Sequence, residues 1–67
     1  MASPELSLVI PVHNEGPNIG PLCARVVPVL DRITPSWEIV FVDDGSADDT
    51  LERIRAEAAR DPRIGAV

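Results

Sequence analysis

The chain has 67 residues, of which 45% are hydrophobic and 25% are charged, and its formal net charge is −5. This mixture is typical of a folded protein, and the acidic balance argues against nucleic acid or an anionic membrane surface as the main partner. Because an ordinary domain has roughly 100 to 200 residues, we expect the chain to be part of a larger protein or of a homo-oligomer.

The first predicted element is a strand at residues 6–10, with the sequence LSLVI. Its short length and its β-branched residues favour a buried strand over a helix. Pro11 cannot donate a hydrogen bond to a neighbouring strand, so we expect the strand to end there. The turn-rich residues 14–18 then predict a loop that presents polar side chains at the carboxyl end of the strand.

The second predicted element is an amphipathic helix that Asn18 caps and that has Pro21 in its first turn, where no amide donor is missed. Pro28 interrupts this helix and predicts a bend near residues 24–28, and residues 34–36 end it. Apolar residues recur at three- and four-residue steps, as in a helix that packs on a sheet. They are Ile19, Leu22, Cys23, Val26, Val27, Leu30 and Ile33.

Residues 37–42 form the second predicted strand, and the unbroken apolar run at residues 39–42 suggests burial on both faces, as in a parallel sheet. A capping-box outline at residues 46–49 precedes a helix at residues 50–60, which Asp61 and Pro62 end. A third strand begins at residue 64. This alternation predicts an α/β fold, a parallel-sheet βαβαβ unit with right-handed crossovers.

A polar cluster follows each of the first two strands, HNE at residues 13–15 and DDGS at residues 43–46. Adjacent parallel strands would place both clusters along one edge of a sheet, where open α/β folds bind their ligands. The glycine-rich turn that would bind a pyrophosphate is absent, so we expect carboxylate and main-chain hydrogen bonds to a base and a ribose. A divalent metal would then have to neutralise the phosphates beside so much negative charge.

Simpler interpretations of these clusters remain open. Asp43 and Asp44 could form a turn and cap the following helix, and the polar residues at 46–49 are explained as caps and first-turn acids. Asn14 is expected to brace its own loop through backbone hydrogen bonds. His13 is expected to form a loop wall, because a lone histidine has no second one with which to share a metal.

Two functions of other classes are also open. A receiver-like phosphoacceptor module also uses paired acids at strand ends, but it needs the pair after the first strand, whereas here the pair follows the second. A non-catalytic assembly fragment would pair through its exposed sheet edge.

The segments VIPVHNE at residues 9–15 and IVFVDDGSADDT at residues 39–50 resemble the N-terminal signature of inverting GT-A glycosyltransferases. The likeness is to the dolichol-phosphate mannosyltransferase and bactoprenol glucosyltransferase branch, and it covers nearly the whole chain. It implies the N-terminal, nucleotide-binding half of a Rossmann-like fold. It also implies a UDP- or GDP-linked sugar donor, and transfer of the sugar with inversion to a polyprenyl phosphate or another acceptor.

Carried over by motif, the resemblance implies six nucleotide-sugar-binding residues, with Asp44 and Glu15 as the principal polar contacts. One side of the site would be Pro11, His13 and Glu15, and the other side would be Val42, Asp43 and Asp44. His13 departs from the family pattern, in which this position is often aromatic.

The resemblance assigns no catalytic and no metal-binding residue to this chain. The family's Asp-X-Asp metal motif, catalytic base and acceptor-binding region all lie farther along than Val67. Residues 1–67 are therefore expected to be a partial nucleotide-sugar-binding domain that does not transfer sugar alone. Mg²⁺ or Mn²⁺ is expected in the full-length protein.

The remaining features bear on location. Cys23 is the only cysteine, which excludes an intrachain disulfide and fits a reducing compartment. The N-terminus lacks the basic flank of a secretory signal, and no apolar run approaches the ~20 residues of a membrane helix. A cytoplasmic location is expected, with membrane association only through regions that are not present here.

Overall fold

The computed structural model describes residues 3–67, which form three strands and two helices. In chain order these are β1 (Leu6–Val12), α1 (Gly16–Ile33), β2 (Trp37–Asp43), α2 (Thr50–Arg60) and β3 (Ile64–Ala66). Within the described residues the strands make one parallel sheet in the order β1-β2-β3. The predicted α/β fold, a parallel βαβαβ unit, is confirmed.

Both helices cover the same face of the sheet. Two right-handed crossovers that advance in one direction place their helices on one side, and α1 and α2 indeed contact each other. Alternate strand residues pack beneath the helices. The buried core consists of Val12, Ile19, Cys23, Leu30, Trp37, Ile39, Phe41, Ile54 and Ile64.

The other face of the sheet is not covered by a helix of residues 3–67. Val9 lies on this face and is 59% exposed, and Val42 of β2, which stands opposite Pro11, lies on it as well. The expectation that β2 is buried on both faces is therefore wrong for this chain. Because α1 and α2 lie on one side of the sheet, they cover only one of its faces.

β1 continues through Pro11 to Val12, so the prediction that the strand ends at Pro11 is wrong. Pro11 stands opposite Val42, and the next rung pairs Val12 with Asp43. The Val12 carbonyl accepts a hydrogen bond from the Asp44 amide at 3.0 Å. Since successive residues direct their main-chain groups to opposite sides, the missing N–H of Pro11 faces away from β2 and no ladder bond is lost.

α1 begins at Gly16, two residues before the predicted cap, with Glu15 at the N-cap position. Asn18 lies inside the first turn, so its predicted role as the cap is wrong. Its side-chain amide donates instead to the Glu15 carboxylate at 2.8 Å. Pro17 is the proline of the first turn, and Pro21 lies in the helix interior, also unlike the prediction.

α1 is one helix through Pro21 and Pro28, both of which are exposed. These prolines are two turns apart and share the solvent side, where water can bond the carbonyls that they leave without an amide donor. The bend expected near residues 24–28 stays a prediction. The apolar stripe packs on the core as predicted except at its end, where Ile33 is 66% exposed.

Arg63, immediately before β3, joins α1, β2 and the residue after α2 at the amino-terminal edge of the sheet. Its guanidinium stacks 3.8 Å from the centroid of the buried Trp37 ring, and it donates to Asp31 of α1 and to Asp61. The Trp37 indole N–H donates to the same Asp31 carboxylate at 2.7 Å. We call Arg63, Trp37, Asp31 and Asp61 the Arg63 latch. It fixes the end of the molecule opposite the polar loops.

Neither helix of the described residues combines the length and the apolarity that crossing a membrane requires.

Candidate nucleotide site

Two polar loops lie side by side at the carboxyl edge of the sheet. The first loop is residues 13–15, after β1, and the second loop is residues 44–49, after β2. Beyond the last rung of the ladder, the His13 ring contacts the Asp44 carbonyl through Nδ1 at 2.7 Å. The prediction that the two clusters share one edge of a parallel sheet is confirmed.

Asn14 ties the first loop to the second. Its φ of 52° lies in the left-handed region, which asparagine tolerates better than most residues. Its main-chain N–H donates to Ser46 Oγ at 2.9 Å, and its Oδ1 accepts from the amides of Ala47 at 2.7 Å and Asp48 at 3.4 Å. The expected bracing by Asn14 is therefore present, but it spans both loops.

The same contacts fix the tautomer of His13. Because Asn14 Oδ1 faces two main-chain donors, its Nδ2 is the atom that lies 3.3 Å from His13 Nε2. An amide N–H there requires Nε2 to accept, so the proton sits on Nδ1 and donates to the Asp44 carbonyl. The ring therefore stands in one orientation beside the second loop.

The second loop and the first residue of α2 supply hydrogen-bond acceptors to the start of α1. The Glu15 amide donates to Thr50 Oγ1 at 2.9 Å and the Gly16 amide donates to Asp48 Oδ2 at 3.1 Å. The Thr50 hydroxyl in turn donates to Asp48, and this bond is the chief reason why the pKa of Asp48 is lowered from its ordinary value. A Cβ at Gly16 would overlap the Asp49 carboxylate, so any other residue there would require the Asp49 side chain to move.

The six residues predicted to bind the nucleotide sugar all lie at this edge. Pro11 and Val42 face each other on the uncovered side of the sheet, and His13, Glu15 and Asp44 are exposed on the loops. Glu15 Oε2 accepts from Asn18, whereas the Asp44 carboxylate makes no hydrogen bond with any other residue of the 3–67 segment.

Asp43 differs from its neighbour. Its Oδ1 accepts from the Ser46 amide at 3.2 Å and from the Ser46 hydroxyl, so it shapes the turn after β2. Gly45, at a φ of 65°, supplies the positive backbone angle of that turn. The simpler interpretation of the acid pair is thus right in part. Neither acid caps α2, because Asp49 occupies that position.

Among residues 3–67, no group of three or more histidine, cysteine, aspartate or glutamate side chains is placed to hold a metal ion. Three acids at this edge are instead engaged separately: Asp43 bonds the turn, Asp48 bonds the start of α1, and Asp49 forms an ion pair with Arg53. The donor set of the described residues therefore does not fit a divalent cation.

Residues 7–66 match the family described as Glycosyl transferase family 2. The chain belongs to this family. It is 44% identical over 57 residues to the dodecaprenyl-phosphate galacturonate synthase of Rhizobium johnstonii, an alignment that covers 85% of this chain and 17% of that protein. It is 41% identical over 54 residues to an undecaprenyl-phosphate 4-deoxy-4-formamido-L-arabinose transferase of Aeromonas hydrophila, which covers 81% of this chain and 17% of that protein.

A solved structure of the same kind is the mannosyltransferase PcManGT from Pyrobaculum calidifontis in complex with GDP-Man and Mn²⁺. It superposes with a TM-score of 0.69 at 25% identity over 100% of this chain and 19% of its own. The resemblance to the N-terminal part of GT-A glycosyltransferases is confirmed. The family 2 chain thus spans less than a fifth of the length of these relatives. Membership favours the glycosyltransferase interpretation over the receiver-like and assembly alternatives.

Sequence reasoning missed how strongly the two loops of this family 2 chain depend on each other. Thr50 was placed only at the start of a helix, and Asp48 was explained as a cap, yet both accept hydrogen bonds from the start of α1. The predicted position of the two loops at one sheet edge was the signal that could have indicated these bonds. Paired loops at one sheet edge leave main-chain amides that need acceptors, and the second loop is rich in acceptor side chains.

Proposed function

We propose that this chain is the N-terminal nucleotide-binding part of a glycosyltransferase. The longer protein would bind a UDP- or GDP-linked sugar and transfer the sugar with inversion to a polyprenyl phosphate or another acceptor. Support comes from two curated relatives whose names specify a polyprenyl phosphate and from a solved relative that holds GDP-Man. The observation that carries the proposal is the pair of exposed carboxylates, Glu15 and Asp44, on two loops that are bonded to each other.

The chemistry of this edge suits a nucleoside. Ionised carboxylates only accept hydrogen bonds, so Glu15 and Asp44 would accept from base N–H groups or ribose hydroxyls. Pro11 and Val42 form an adjoining apolar surface, and the ring of His13 stands next to the Asp44 main chain. The carboxylate of Asp43 would line the site mainly by shaping the turn.

In this proposal the phosphates of the donor bind away from the second loop. Asp43 at the end of β2 and Asp44, Asp48 and Asp49 of the second loop concentrate negative charge there, which disfavours a diphosphate beside this loop. The Mg²⁺ or Mn²⁺ of the longer protein would be held by residues outside the 3–67 segment, since the donor set here does not fit one. A polyprenyl-phosphate acceptor would bring the reaction to a membrane surface, also through other segments.

The first prediction concerns affinity for the nucleotide. In the longer protein that carries this chain, Asp44→Ala and Glu15→Ala should each raise the Kd for UDP or GDP about 10-fold or more, because a hydrogen bond to a charged group contributes about 1.5–3 kcal/mol. Titration calorimetry measures this. Glu52→Ala, which removes an exposed carboxylate of α2, is the matched control and should leave the Kd unchanged.

Affinity that is unchanged in both Asp44→Ala and Glu15→Ala would contradict the site assignment. The isolated 67-residue chain should bind UDP or GDP weakly or not at all, because it lacks the segments that would hold the phosphates and the sugar.

A further inference from the structure

Side chains near each loop bond the main-chain groups of the other loop. These bonds bear on ligand binding as well as on the stability of the fold. The first turn of α1 has four amide positions without helical partners. Glu15 and Gly16 donate to Thr50 and Asp48, Pro17 has no N–H, and Asn18 donates to the Glu15 carbonyl at 2.8 Å. The start of α1 is therefore capped by side chains of the second loop and of α2, while Glu15, at the N-cap position, makes no side-chain cap bond of its own.

The dependence runs in both directions. Asn14 Oδ1 accepts from two amides of the second loop, Ala47 and Asp48, and the Asn14 amide donates to the Ser46 hydroxyl. Asp44 is also held through its main chain, since its amide donates to the Val12 carbonyl and its carbonyl accepts from His13. Movement of either loop alone would break several hydrogen bonds of the other.

Thr50 is the most buried member of this arrangement. It is fully buried, and its hydroxyl accepts from the Glu15 amide and donates to the Asp48 carboxylate. Both hydrogen-bonding capacities of one hydroxyl are thus used across the two loops. The amide bonded to this hydroxyl belongs to Glu15, and the carboxylate of the same residue is exposed.

We propose that Thr50, with Asn14, is a positioning residue for nucleotide binding. These residues touch no ligand, but they fix the main chain of Glu15 and of the second loop so that Glu15 and Asp44 face one ligand before it arrives. A site that is ordered beforehand loses less conformational freedom on binding and so binds more tightly. This inference rests on the proposed function.

The test compares two substitutions of Thr50 in the longer protein. Thr50→Val keeps the shape of the side chain and removes the hydroxyl, while Thr50→Ser keeps the hydroxyl and removes the methyl group. We expect Thr50→Val, which loses both hydrogen bonds of the hydroxyl, to raise the Kd for UDP or GDP about 5- to 10-fold, and Thr50→Ser to change it less than about 2-fold. Thermal unfolding of both variants sets a temperature at which each is folded.

A double-variant cycle separates positioning from general stability. If Thr50 acts through Glu15, Thr50→Val should add little to the Kd of Glu15→Ala, since the carboxylate that it positions is already absent. Equal Kd values for Thr50→Val and Thr50→Ser, or full additivity with Glu15→Ala, would overturn the inference even where the Tm falls.

Asn14→Gly provides a second test, which decides the matter if Thr50→Val does not fold. Glycine keeps the left-handed backbone and removes the side-chain acceptor, so the Kd should rise here too. An unchanged Kd in Asn14→Gly overturns the inference. Absence of UDP and GDP binding in the unsubstituted longer protein would instead overturn the proposed function, and the positioning role with it.

Discussion

Asp43 and Asp44 are adjacent acids with different surroundings. Asp43 accepts hydrogen bonds from the amide and the hydroxyl of Ser46, whereas the Asp44 side chain is exposed and its main chain bonds Val12 and His13. The turn uses one oxygen of Asp43, which an asparagine amide could also supply. The negative charge of Asp43 is therefore not what shapes the loop.

The Asp43 interpretation predicts that Asp43→Asn and Asp43→Ala behave differently. Asp43→Asn should keep the turn and change the nucleotide Kd little, while Asp43→Ala should lower the free energy of unfolding by about 1 kcal/mol, as expected for a lost hydrogen bond. Thermal unfolding and calorimetry on the longer protein measure both effects. If Asp43→Asn weakens nucleotide binding as much as Asp44→Ala does, the Asp43 carboxylate contacts the ligand itself.

The sequence predicted which residues lie at the sheet edge, but not which hydrogen bonds each of them makes there. Parallel pairing alone places residues 13–15 beside residues 43–46, so the strand pattern was enough for that step. The bond from the Glu15 amide to Thr50 spans 35 residues and that from Asn14 to Ser46 spans 32. Local turn and capping rules concern near neighbours in the chain and therefore do not predict such bonds.

At the scale of elements, α1 was predicted from its apolar period but was given the wrong start. The capping rule favoured Asn18 because its side chain could bond amides two or three residues ahead. The helix begins at Gly16 instead, because Asp48 and Thr50 accept from its first amides. The strand after it was predicted at nearly its true bounds, since a run of β-branched and aromatic residues depends less on distant partners.

The Arg63 latch supports the opposite end of these elements and gives the next prediction. Lysine cannot stack on Trp37 and bond two carboxylates with one planar group, so Arg63→Lys should lower the free energy of unfolding by about 1 kcal/mol. Urea unfolding of the 67-residue chain, followed by the fluorescence of its one tryptophan, measures this.

Arg60→Lys is the matched control for the latch, because the side chain of Arg60 is 80% exposed and pairs only with Glu57 within the described segment. It should leave the urea midpoint almost unchanged. Equal midpoints for Arg63→Lys and Arg60→Lys would mean that the stacked geometry contributes nothing.

At the scale of the whole molecule, the apolar runs predicted more burial than 67 residues provide. Val9 and Val42 fit a sheet covered on both sides, but α1 and α2 lie on one side only. A hydrophobic pattern indicates that a face suits burial without indicating which segment covers it. This is why the parallel sheet was predicted correctly and the layering was not.

The core between the helices and the sheet contains Cys23, the single cysteine of the chain. Ionisation of its thiol is expected to lower the stability of the chain at alkaline pH. Burial, with the nearby Glu57 carboxylate adding to it, raises the pKa of the Cys23 thiol from 9.0 to about 11. The thiol is therefore harder to ionise in the folded chain than in the unfolded one. Its contribution to stability is fully present below pH 9 and is lost as the pH rises from 9 to 11.

The sequence makes this alkaline loss assignable to one residue. All six basic residues are arginines, which stay charged below pH 12, and the chain has no tyrosine. We expect the free energy of unfolding of the 67-residue chain to fall by about 2 kcal/mol between pH 9 and pH 11, and Cys23→Ala to abolish most of that fall. Urea midpoints of both proteins at pH 8, 9, 10 and 11 measure this fall. The difference between the two proteins at pH 8 gives the separate cost of removing the buried sulfur. Parallel losses in the two proteins would mean that the thiol ionises as readily in the folded core as in the unfolded chain.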